Sequence, residues 1–411
     1  MTFVFVGVDV GTTRIKAVAI DAAGRVRHDA ELRTPWRAGG VEIDPDELAT
    51  AAAGVAARAA GDDPAAGVGV TGMAETGVLV DGHDRPLAPA IAWHDKRGDV
   101  DRIARELGEA TFRRTTGLPL TSLPSLGKLL LLPRTGEARS FYSVSEWVIR
   151  RLGARPVAEL SLASRTGLFD LAAARPWDAA LDLLGLPGLL PEPVLAGTPA
   201  GTAHGPDVPA GLRGAVLTVA GHDHQVAAYA AGTAVDGALL DSLGTAEALV
   251  RFCRAPVPPD DVDALTAAGL AIGWGVVAGH HCILAGLTTG LTLDRLAVEA
   301  GATTNEARAA LATPGWLSTV DEVCAAAERI LVDVERVAGP HREVVAAGGW
   351  LANAALRAAK RRRFPGLRIS DIAEPGAYGA ALMARSAAGA APPAAFPAEP
   401  ADSRNASGSW T

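Results

Sequence analysis

The sequence predicts a layered α/β fold with two similar halves, because strand and helix patterns alternate along it and one unit occurs twice. The first unit, VDVGTTRIKAVAID, begins at residue 8, and the second, LDSLGTAEALVRF, begins at residue 240. Each unit is typical of a strand, a Gly-Thr turn and a second strand. One such unit in each half predicts a duplicated architecture whose two turns face a common cleft.

The other elements follow from local patterns. Alanine-rich residues 45–60 and residues 98–107 predict helices, and GVGVTG, GVLVD and PAIAWHD predict short strands. AVLTVAG and EVVAA predict strands, each followed by a helix. We therefore expect one domain over 1–220 and a second over 221–388. Residues 389–411, rich in alanine and proline, are expected to form a disordered tail.

The bulk composition limits the class of protein. The chain has 411 residues with 49% hydrophobic and 20% charged residues, which is typical of globular domains. Its net charge of -8 argues against a nucleic-acid partner. Three scattered cysteines, no basic leader and no uninterrupted apolar span predict a cytoplasmic protein outside the membrane. A homodimer is the assembly that general frequencies favour.

The first Gly-Thr turn carries groups suited to a phosphate chain. Gly11 lets the backbone approach an anion, Thr12 and Thr13 offer hydroxyl and N–H donors, and the carboxylate of Asp9 suits Mg²⁺. Lys16 adds a positive charge on the following strand. The alternative is an ordinary hairpin turn, since turn geometry alone also selects glycine.

Two further segments offer related chemistry. The second turn, with Gly244 and Thr245, presents the same groups as the first, so the pair would hold a triphosphate from opposite sides. Gly348 and Gly349 stand between a strand and a helix, where they would allow a flat group such as adenine to lie against the backbone. A plain strand-to-helix connection is the alternative.

Asp223 lies between His222 and His224, after a strand and before a helix of small residues. Three interpretations compete: a general base that takes the proton of an attacking hydroxyl, a helix N-cap and part of a metal site. GVGVTG also matches the GxGxxG dinucleotide pattern, which would suggest a dehydrogenase. That pattern must open a helix, whereas a second strand pattern follows it here.

The ordered set of motifs resembles the FGGY carbohydrate kinases, a family that includes xylulokinase, gluconokinase and glycerol kinase. Between about residues 3 and 385 the matching motifs are DVGTTRIKAVAID, TGMAETGVLVD, PAIAWHDKRG, LASRTGLFDL, AGHDHQVAAYAAG, DSLGTAEALV, AAGGWLANAALRAAKRR and AEPGAYGAALMA. The resemblance implies two actin-like (ribonuclease H-like) domains of the sugar kinase/Hsp70/actin superfamily with a cleft between them. It also implies transfer of the γ-phosphoryl group of ATP to a hydroxyl of a sugar, sugar acid or polyol, with a xylulose-like ketose favoured.

The resemblance also implies residue roles. Asp223 would be the catalytic base and Asp9 would lie near Mg²⁺. The nucleotide would be bound by Asp9, Gly11, Thr12, Thr13, Lys16, Gly244, Thr245, Gly290, Gly348, Gly349 and Asn353. The substrate would be bound by Met73, Glu75, Trp93, Asp223 and His224, with simple core packing as the alternative for Trp93.

Two features set this chain apart from the family pattern. Glu75 stands where xylulokinase-like members carry His and glycerol kinase-like members carry Glu. A segment reading roughly FLPYLxGERxPxWDxxARG, which the family has before its AAGGW-like motif, is missing here. Its absence motivates a second hypothesis, a non-catalytic regulator that binds a sugar or a nucleotide.

Overall fold

The computed structural model describes residues 3–390 apart from residues 38, 133, 134 and 245. Thr245 of the second turn therefore lies outside the described residues. So does the predicted tail from residue 391 onwards.

Strands and helices alternate through the described residues, as the sequence predicts. The strands are β1 Val4–Val10, β2 Arg14–Ile20, β3 Val26–Arg33, β4 Glu42–Ile43, β5 Ala65–Gly72, β6 Gly77–Val80, β7 Ala90–Ile91, β8 Ser140–Ser143, β9 Ala158–Glu159, β10 Phe169–Asp170, β11 Arg175–Pro176, β12 Pro193–Val194, β13 Pro199–Thr202, β14 Val216–His222, β15 Ala238–Leu243, β16 Glu247–Arg254, β17 Ala271–Trp274, β18 His280–Leu287, β19 Glu343–Ala347 and β20 Arg368–Ile369. The α-helices are α1 Pro45–Ala60, α2 Val100–Leu107, α3 Glu109–Thr116, α4 Ser125–Leu129, α5 Val144–Arg151, α6 Leu160–Ala163, α7 Asp178–Leu184, α8 Asp223–Ala230, α9 Pro259–Ala267, α10 Thr289–Glu299, α11 Thr304–Ala310, α12 Pro314–Ala338, α13 Ala354–Arg363 and α14 Pro375–Ala387.

The first sheet has the strand order β13-β14-β5-β1-β2-β3. Its strands β1, β2 and β3 form an antiparallel meander, and β1, β5 and β14 run parallel to one another. Helix α1 covers one face of this sheet. It begins with a local signal, because the Asp44 carboxylate accepts the backbone N–H groups of Asp46 and Glu47 and Pro45 opens the first turn.

The second sheet repeats the plan of the first, with the order β17-β18-β16-β15-β19-β20. Here β15, β16 and β18 form the antiparallel meander, and β15, β19 and β20 run parallel. The repeated unit seen in the sequence opens each meander, as β1–β2 and as β15–β16. The predicted duplication is therefore confirmed.

Helix α14 returns from the second half of the chain to pack on the first sheet. A Cβ added to Gly7 would lie 1.9 Å from the carbonyl oxygen of Ala377, and one added to Gly69 would lie 2.3 Å from that of Ala380. Gly67, the first glycine of GVGVTG, meets the same helix. Gly67 and Gly69 lie within β5 rather than at the start of a helix, so they serve close helix–sheet packing and not a dinucleotide.

This packing gives a stability prediction. Replacing Gly69 by alanine is expected to destabilise the protein by about 1–3 kcal/mol, because the new methyl group collides with backbone and α14 must shift. Gly54, within α1, is the matched control, since its added Cβ meets only the Arg58 guanidinium at 4.0 Å. Gly54→Ala is expected to stabilise slightly, because alanine favours the helix interior. Equal unfolding midpoints for the two variants in urea would contradict this packing role.

The boundary predicted at residues 220 and 221 falls within β14 and directly before α8. Residues of α8 and α14 share a buried cluster with Leu240 of β15 and Val345 of β19. These two helices therefore lie between the sheets, and the division into 1–220 and 221–388 stays a prediction. None of the helices in the described ranges is both long and apolar enough to cross a bilayer.

Candidate active site

Three parallel strands of the first sheet end side by side. Val10 of β1 lies opposite Gly72 of β5, and Gly72 lies opposite His222 of β14. The residues that follow these ends are the first Gly-Thr turn, the segment 73–76 and the start of α8. Because the carboxyl ends of parallel strands share one edge, the fold brings together predicted site residues that lie more than 200 positions apart.

The first turn is tightly hydrogen-bonded. The backbone N–H of Gly11 donates to the carbonyl oxygen of Arg14 at 3.1 Å. A Cβ on Gly11 would lie 2.8 Å from that same oxygen, so the turn requires glycine. Thr34 donates its hydroxyl to the Gly11 carbonyl at 2.7 Å, and Thr13 is exposed at the tip of the turn. The turn therefore presents its threonines on a rigid base.

Asp9 is a carboxylate in an unusual setting. Its Oδ1 atom is buried and has no hydrogen-bond partner among the residues that the structure describes. The pKa of Asp9 is raised to about 8, first by burial and then by the nearby carboxylates of Asp223 and Glu374, while Lys16 acts in the opposite direction. An ionised Asp9 thus needs a further positive charge beside it.

Lys16 pairs with a residue from the other half of the chain. Its Nζ atom lies 2.6 Å from Oε2 of Glu374, and both side chains are about one third exposed. Gly376, two residues further on, packs against Asp9, because an added Cβ would lie 2.4 Å from the Asp9 Oδ2 atom. The segment after β20 therefore lies directly beside the first turn.

Asp223 occupies the first turn of α8 and His222 is the N-cap residue. The backbone N–H of His224 donates to Asp223 Oδ1 at 2.7 Å, and His222 Nε2 lies 3.2 Å from the same oxygen. The pKa of Asp223 is raised to about 7, chiefly by burial and also by Glu75, whereas His224 and Arg165 lower it. A carboxylate with this pKa is well suited to take a proton near neutral pH.

Glu75 forms an ion pair with Arg165. Arg165 was not among the predicted site residues. Arg165 places its Nε and Nη2 atoms 2.7 Å and 2.5 Å from Glu75 Oε1, and both side chains are almost buried. Glu75 also has a φ of 60°, a rare conformation for a residue other than glycine. Arg165 belongs to the LASRTGLFDL motif, so the family resemblance pointed to this segment. Its partner, 90 residues away, was not visible from the sequence.

Trp93, which was predicted to bind substrate, is hydrogen-bonded to the first turn. Its Nε1–H donates to Thr12 Oγ1 at 2.8 Å, and its carbonyl oxygen accepts from Lys128 Nζ at 3.2 Å. Met73 is buried beside Thr12, with 4.0 Å between the sulfur and the hydroxyl oxygen. Burial lowers the pKa of Lys128 to about 8, although Glu75 and Asp95 act in the opposite direction. Trp93 is thus partly buried against the core and also hydrogen-bonded into the site.

The second turn lies at the corresponding edge of the second sheet. Ser242 of β15 lies opposite Ala347 of β19, so Gly244 and Gly348 follow neighbouring strand ends. Gly348 has a φ of 114°, and an added Cβ would lie 2.2 Å from the Leu243 carbonyl oxygen. The glycine pair therefore packs directly against the base of the second turn.

A buried charge cluster holds this second turn in place. Lys360 of α13 lies 2.7 Å from Asp241 Oδ2 and also contacts Glu247 Oε1, and all three side chains are fully buried. Thr289, at the start of α10 and next to Gly290, donates its hydroxyl to Glu247. Burial and Asp241 raise the pKa of Glu247 to about 7, against the effect of Lys360. Both strands flanking the turn are thereby tied to α13.

The side chain of Asn353 makes its hydrogen bonds within the fold. Its Oδ1 atom accepts from the backbone N–H of Leu356 and so caps α13, and its Nδ2 atom donates to the carbonyl oxygens of Ala307 and Leu311. The side chain is 1% exposed. Asn353 thus ties the start of α13 to the end of α11, and its contact with adenosine stays a prediction.

The sequence analysis left two other interpretations of the His-Asp-His segment open, a helix N-cap and a metal site. The N-cap interpretation of Asp223 is wrong, because Asp223 is the first residue of α8 and His222 occupies the N-cap position without a side-chain cap. Within the described ranges, no cluster of three or more His, Cys, Asp or Glu residues has the arrangement of a metal site. A protein-built metal centre at 222–224 is therefore not found there.

Comparison with known proteins identifies the family of the chain. Residues 4–230, more than half of the chain, match the N-terminal domain of the FGGY family of carbohydrate kinases. Over 270 residues the chain is 34% identical to a glycerol kinase of Aromatoleum aromaticum, which covers 58% of this chain and 52% of that one. Over 205 residues it is 26% identical to a gluconokinase of Bacillus subtilis, covering 47% and 39% of the two chains. The matches thus span about half the length of these relatives or less.

Solved structures extend the likeness to the whole fold. A xyloylose kinase from Brucella ovis superposes with a TM-score of 0.84 at 20% identity, covering 95% of this chain and 91% of that one. A Plasmodium falciparum glycerol kinase with ADP gives a TM-score of 0.81 at 17% identity, covering 94% and 90%. These likenesses confirm the predicted fold of two actin-like domains. Together with the match over residues 4–230, they show that the chain belongs to the FGGY family of carbohydrate kinases.

Proposed function

We propose that the protein transfers the γ-phosphoryl group of ATP to a hydroxyl of an uncharged sugar or polyol, with Asp223 as the general base. The observation that carries the proposal is the position of Asp223. This carboxylate has a pKa of about 7 and lies beside Glu75 and Arg165, at the strand edge that also carries the first Gly-Thr turn. Phosphoryl transfer needs mainly positioning and charge stabilisation, which such an arrangement supplies.

Asp9 is the residue that fits Mg²⁺. Its Oδ1 atom is buried without a hydrogen-bond partner among the described residues, and the pKa of Asp9 is raised first by burial and then by the neighbouring carboxylates of Asp223 and Glu374. Mg²⁺ is commonly held by one or two carboxylates together with substrate phosphates and water. A bound Mg²⁺ would neutralise charge on the phosphates. The turn N–H groups and Lys16 would bind the same phosphates, once Lys16 exchanges Glu374 for the nucleotide.

The charges of the pocket favour an uncharged acceptor. Arg165 is already paired with Glu75 through two nitrogen atoms, so its charge is largely compensated. Asp9 and Asp223 add two carboxylates close to this pair. Repulsion between like charges would therefore disfavour a sugar acid. Among the family's acceptors, glycerol and ketoses such as xylulose fit this pocket better than gluconate.

A panel assay tests the proposed activity. ADP formation from ATP and Mg²⁺ would be followed with glycerol, xylulose, other polyols and sugars, and gluconate as acceptors. We expect at least one uncharged acceptor to stimulate ADP formation and gluconate to stimulate it less. If no acceptor does so while ATP or a sugar still raises the unfolding temperature, the protein is a binding regulator.

Cytoplasmic location and a homodimer stay predictions. Size-exclusion chromatography checks the predicted homodimer.

The pKa of Asp223 gives a pH prediction. A base acts only when deprotonated, so a raised pKa moves the acidic limb of the rate profile upwards. We expect kcat/KM to rise with pH through about pH 7, because the pKa of Asp223 in the free protein is about 7. An acidic limb near pH 4, the ordinary range of an aspartate, would contradict this assignment.

A further inference from the structure

His222 is a buried histidine in direct contact with the proposed base. Its side chain is 5% exposed, and its Nε2 atom lies 3.2 Å from Asp223 Oδ1. Its Nδ1 atom is buried and has no hydrogen-bond partner within the described part of the chain. One ring nitrogen thus faces an acceptor, and the other faces none.

The backbone fixes the position of this ring. The N–H of His222 donates to Ser161 Oγ at 3.0 Å, and the Ser161 hydroxyl donates to Glu159 Oε2 at 2.6 Å. Gly221 has a φ of 107°, and an added Cβ would lie 2.7 Å from Ser161 Oγ. Strand β14 is therefore held against α6 just where it leads into α8.

The surroundings keep the ring neutral. Burial lowers the pKa of His222 well below its ordinary value, and His224 and Arg165 add to the effect. A neutral imidazole carries a single N–H and a single bare nitrogen. The proton belongs on Nε2, because an acceptor is present there and no partner is present at Nδ1.

We infer that neutral His222 is a positioning residue, which donates from Nε2 to Asp223 Oδ1 and leaves Oδ2 to receive the substrate proton. This inference rests on the proposed function. Oδ1 accepts the backbone N–H of His224 at 2.7 Å, and the 3.2 Å distance to His222 Nε2 places a second N–H within reach of the same oxygen. No hydrogen bond from the described residues reaches Oδ2. In the transfer step the acceptor O–H bond breaks and its proton moves to Oδ2. The new O–P bond forms as the bond between the γ-phosphorus and ADP breaks.

Several other groups also influence the pKa of Asp223, so the effect of His222 on that pKa must be separated from theirs. The titratable and charged groups around the base, by element, are Asp9 on β1, Glu75 after β5, Arg165 after α6, and His224 on α8. Glu159, which lies behind Ser161, has a pKa raised to about 7 by burial. None of these groups changes when His222 alone is replaced.

The test compares His222→Phe with His222→Gln. Phenylalanine fills the space without a donor, whereas the glutamine amide places an N–H near the position of Nε2. With an acceptor that the wild type phosphorylates, we expect His222→Phe to lower kcat about tenfold or more at an unchanged KM for ATP. Its acidic limb should move upwards by about one pH unit, since a lost donor raises the pKa of a carboxylate. His222→Gln should stay close to the wild type in both respects.

His281→Phe is the matched control. His281 is also buried and packs edge-to-face on Trp274, and its two ring nitrogens have no hydrogen-bond partner in the described ranges. We expect this variant to leave the pH profile unchanged. An equal shift in both phenylalanine variants, or an unshifted profile in His222→Phe, would overturn the positioning role while leaving the kinase proposal intact.

A measurement without substrate separates the two proposals. Nitrogen-15 spectra of the histidine rings, with His222 assigned from His222→Gln, report the protonated nitrogen directly. We expect neutral His222 with its proton on Nε2 throughout about pH 5–8, even if no acceptor is ever found. A proton on Nδ1, or titration near pH 6.5, would overturn the inference.

Discussion

Asp223→Asn is expected to lower turnover by about 10²-fold or more, because the amide preserves the shape of the side chain but takes no proton. The backbone N–H of His224 still finds an oxygen acceptor in the asparagine side chain, so α8 should start as before. Binding of ATP and of the acceptor should change little. Steady-state kinetics with an accepted polyol or sugar measures the loss, and ligand-induced shifts of the unfolding temperature measure binding.

Asp236→Asn serves as the control for this experiment. Asp236 is a surface residue, 42% exposed, that pairs with Arg254 and His280. Its replacement removes the same charge from the same part of the chain and should leave turnover unchanged. An Asp223→Asn variant with near-normal turnover would show that another group receives the proton.

Lys360→Met is expected to produce the largest loss of stability. Lys360, Asp241 and Glu247 have fully buried side chains, so removing the lysine leaves two carboxylates without their cation. Breaking a buried ion pair in this way typically costs about 3–5 kcal/mol, because the remaining charges stay desolvated. Urea unfolding followed by hydrogen exchange on β15, β16 and α13 would measure this loss where it arises.

Two further variants make this prediction specific. Lys96→Met removes an exposed lysine and should change the free energy of unfolding by about 0.5 kcal/mol or less. Adding Asp241→Asn and Glu247→Gln to Lys360→Met removes the two stranded charges and should restore part of the lost stability. A loss below about 1 kcal/mol in Lys360→Met would show that the cluster is not the anchor of the second turn.

Local patterns in the sequence were sufficient to predict the two strand–turn–strand units. The hairpin β1–β2 and its counterpart β15–β16 follow from apolar strands joined by Gly-Thr turns, and Gly11 is required by the 2.8 Å approach of the Arg14 carbonyl oxygen. The short strand β8, with the sequence SFYS, was not predicted. It forms by pairing with β6, which lies about 60 residues earlier in the chain.

The partners of the site residues were not predictable in the same way. Glu374 pairs with Lys16 across 358 positions, and Lys360 reaches Glu247 across 113. Nothing in the local sequence indicates these pairs, since each depends on how the two sheets and α13 are arranged. Arg165 and His222 belong to quoted motifs, yet their roles became visible only through their contacts with Glu75 and Asp223. Residue types were thus predictable, whereas partners required the fold.

A crystal structure with a non-hydrolysable ATP analogue, Mg²⁺ and an accepted polyol or sugar would test the proposed chemistry most directly. We predict that the terminal phosphate lies between the turn at residues 11–13 and the turn at Gly244, and that an acceptor hydroxyl lies within hydrogen-bond reach of Asp223. A phosphate chain bound away from both turns, or an acceptor whose hydroxyls do not reach Asp223, would contradict it.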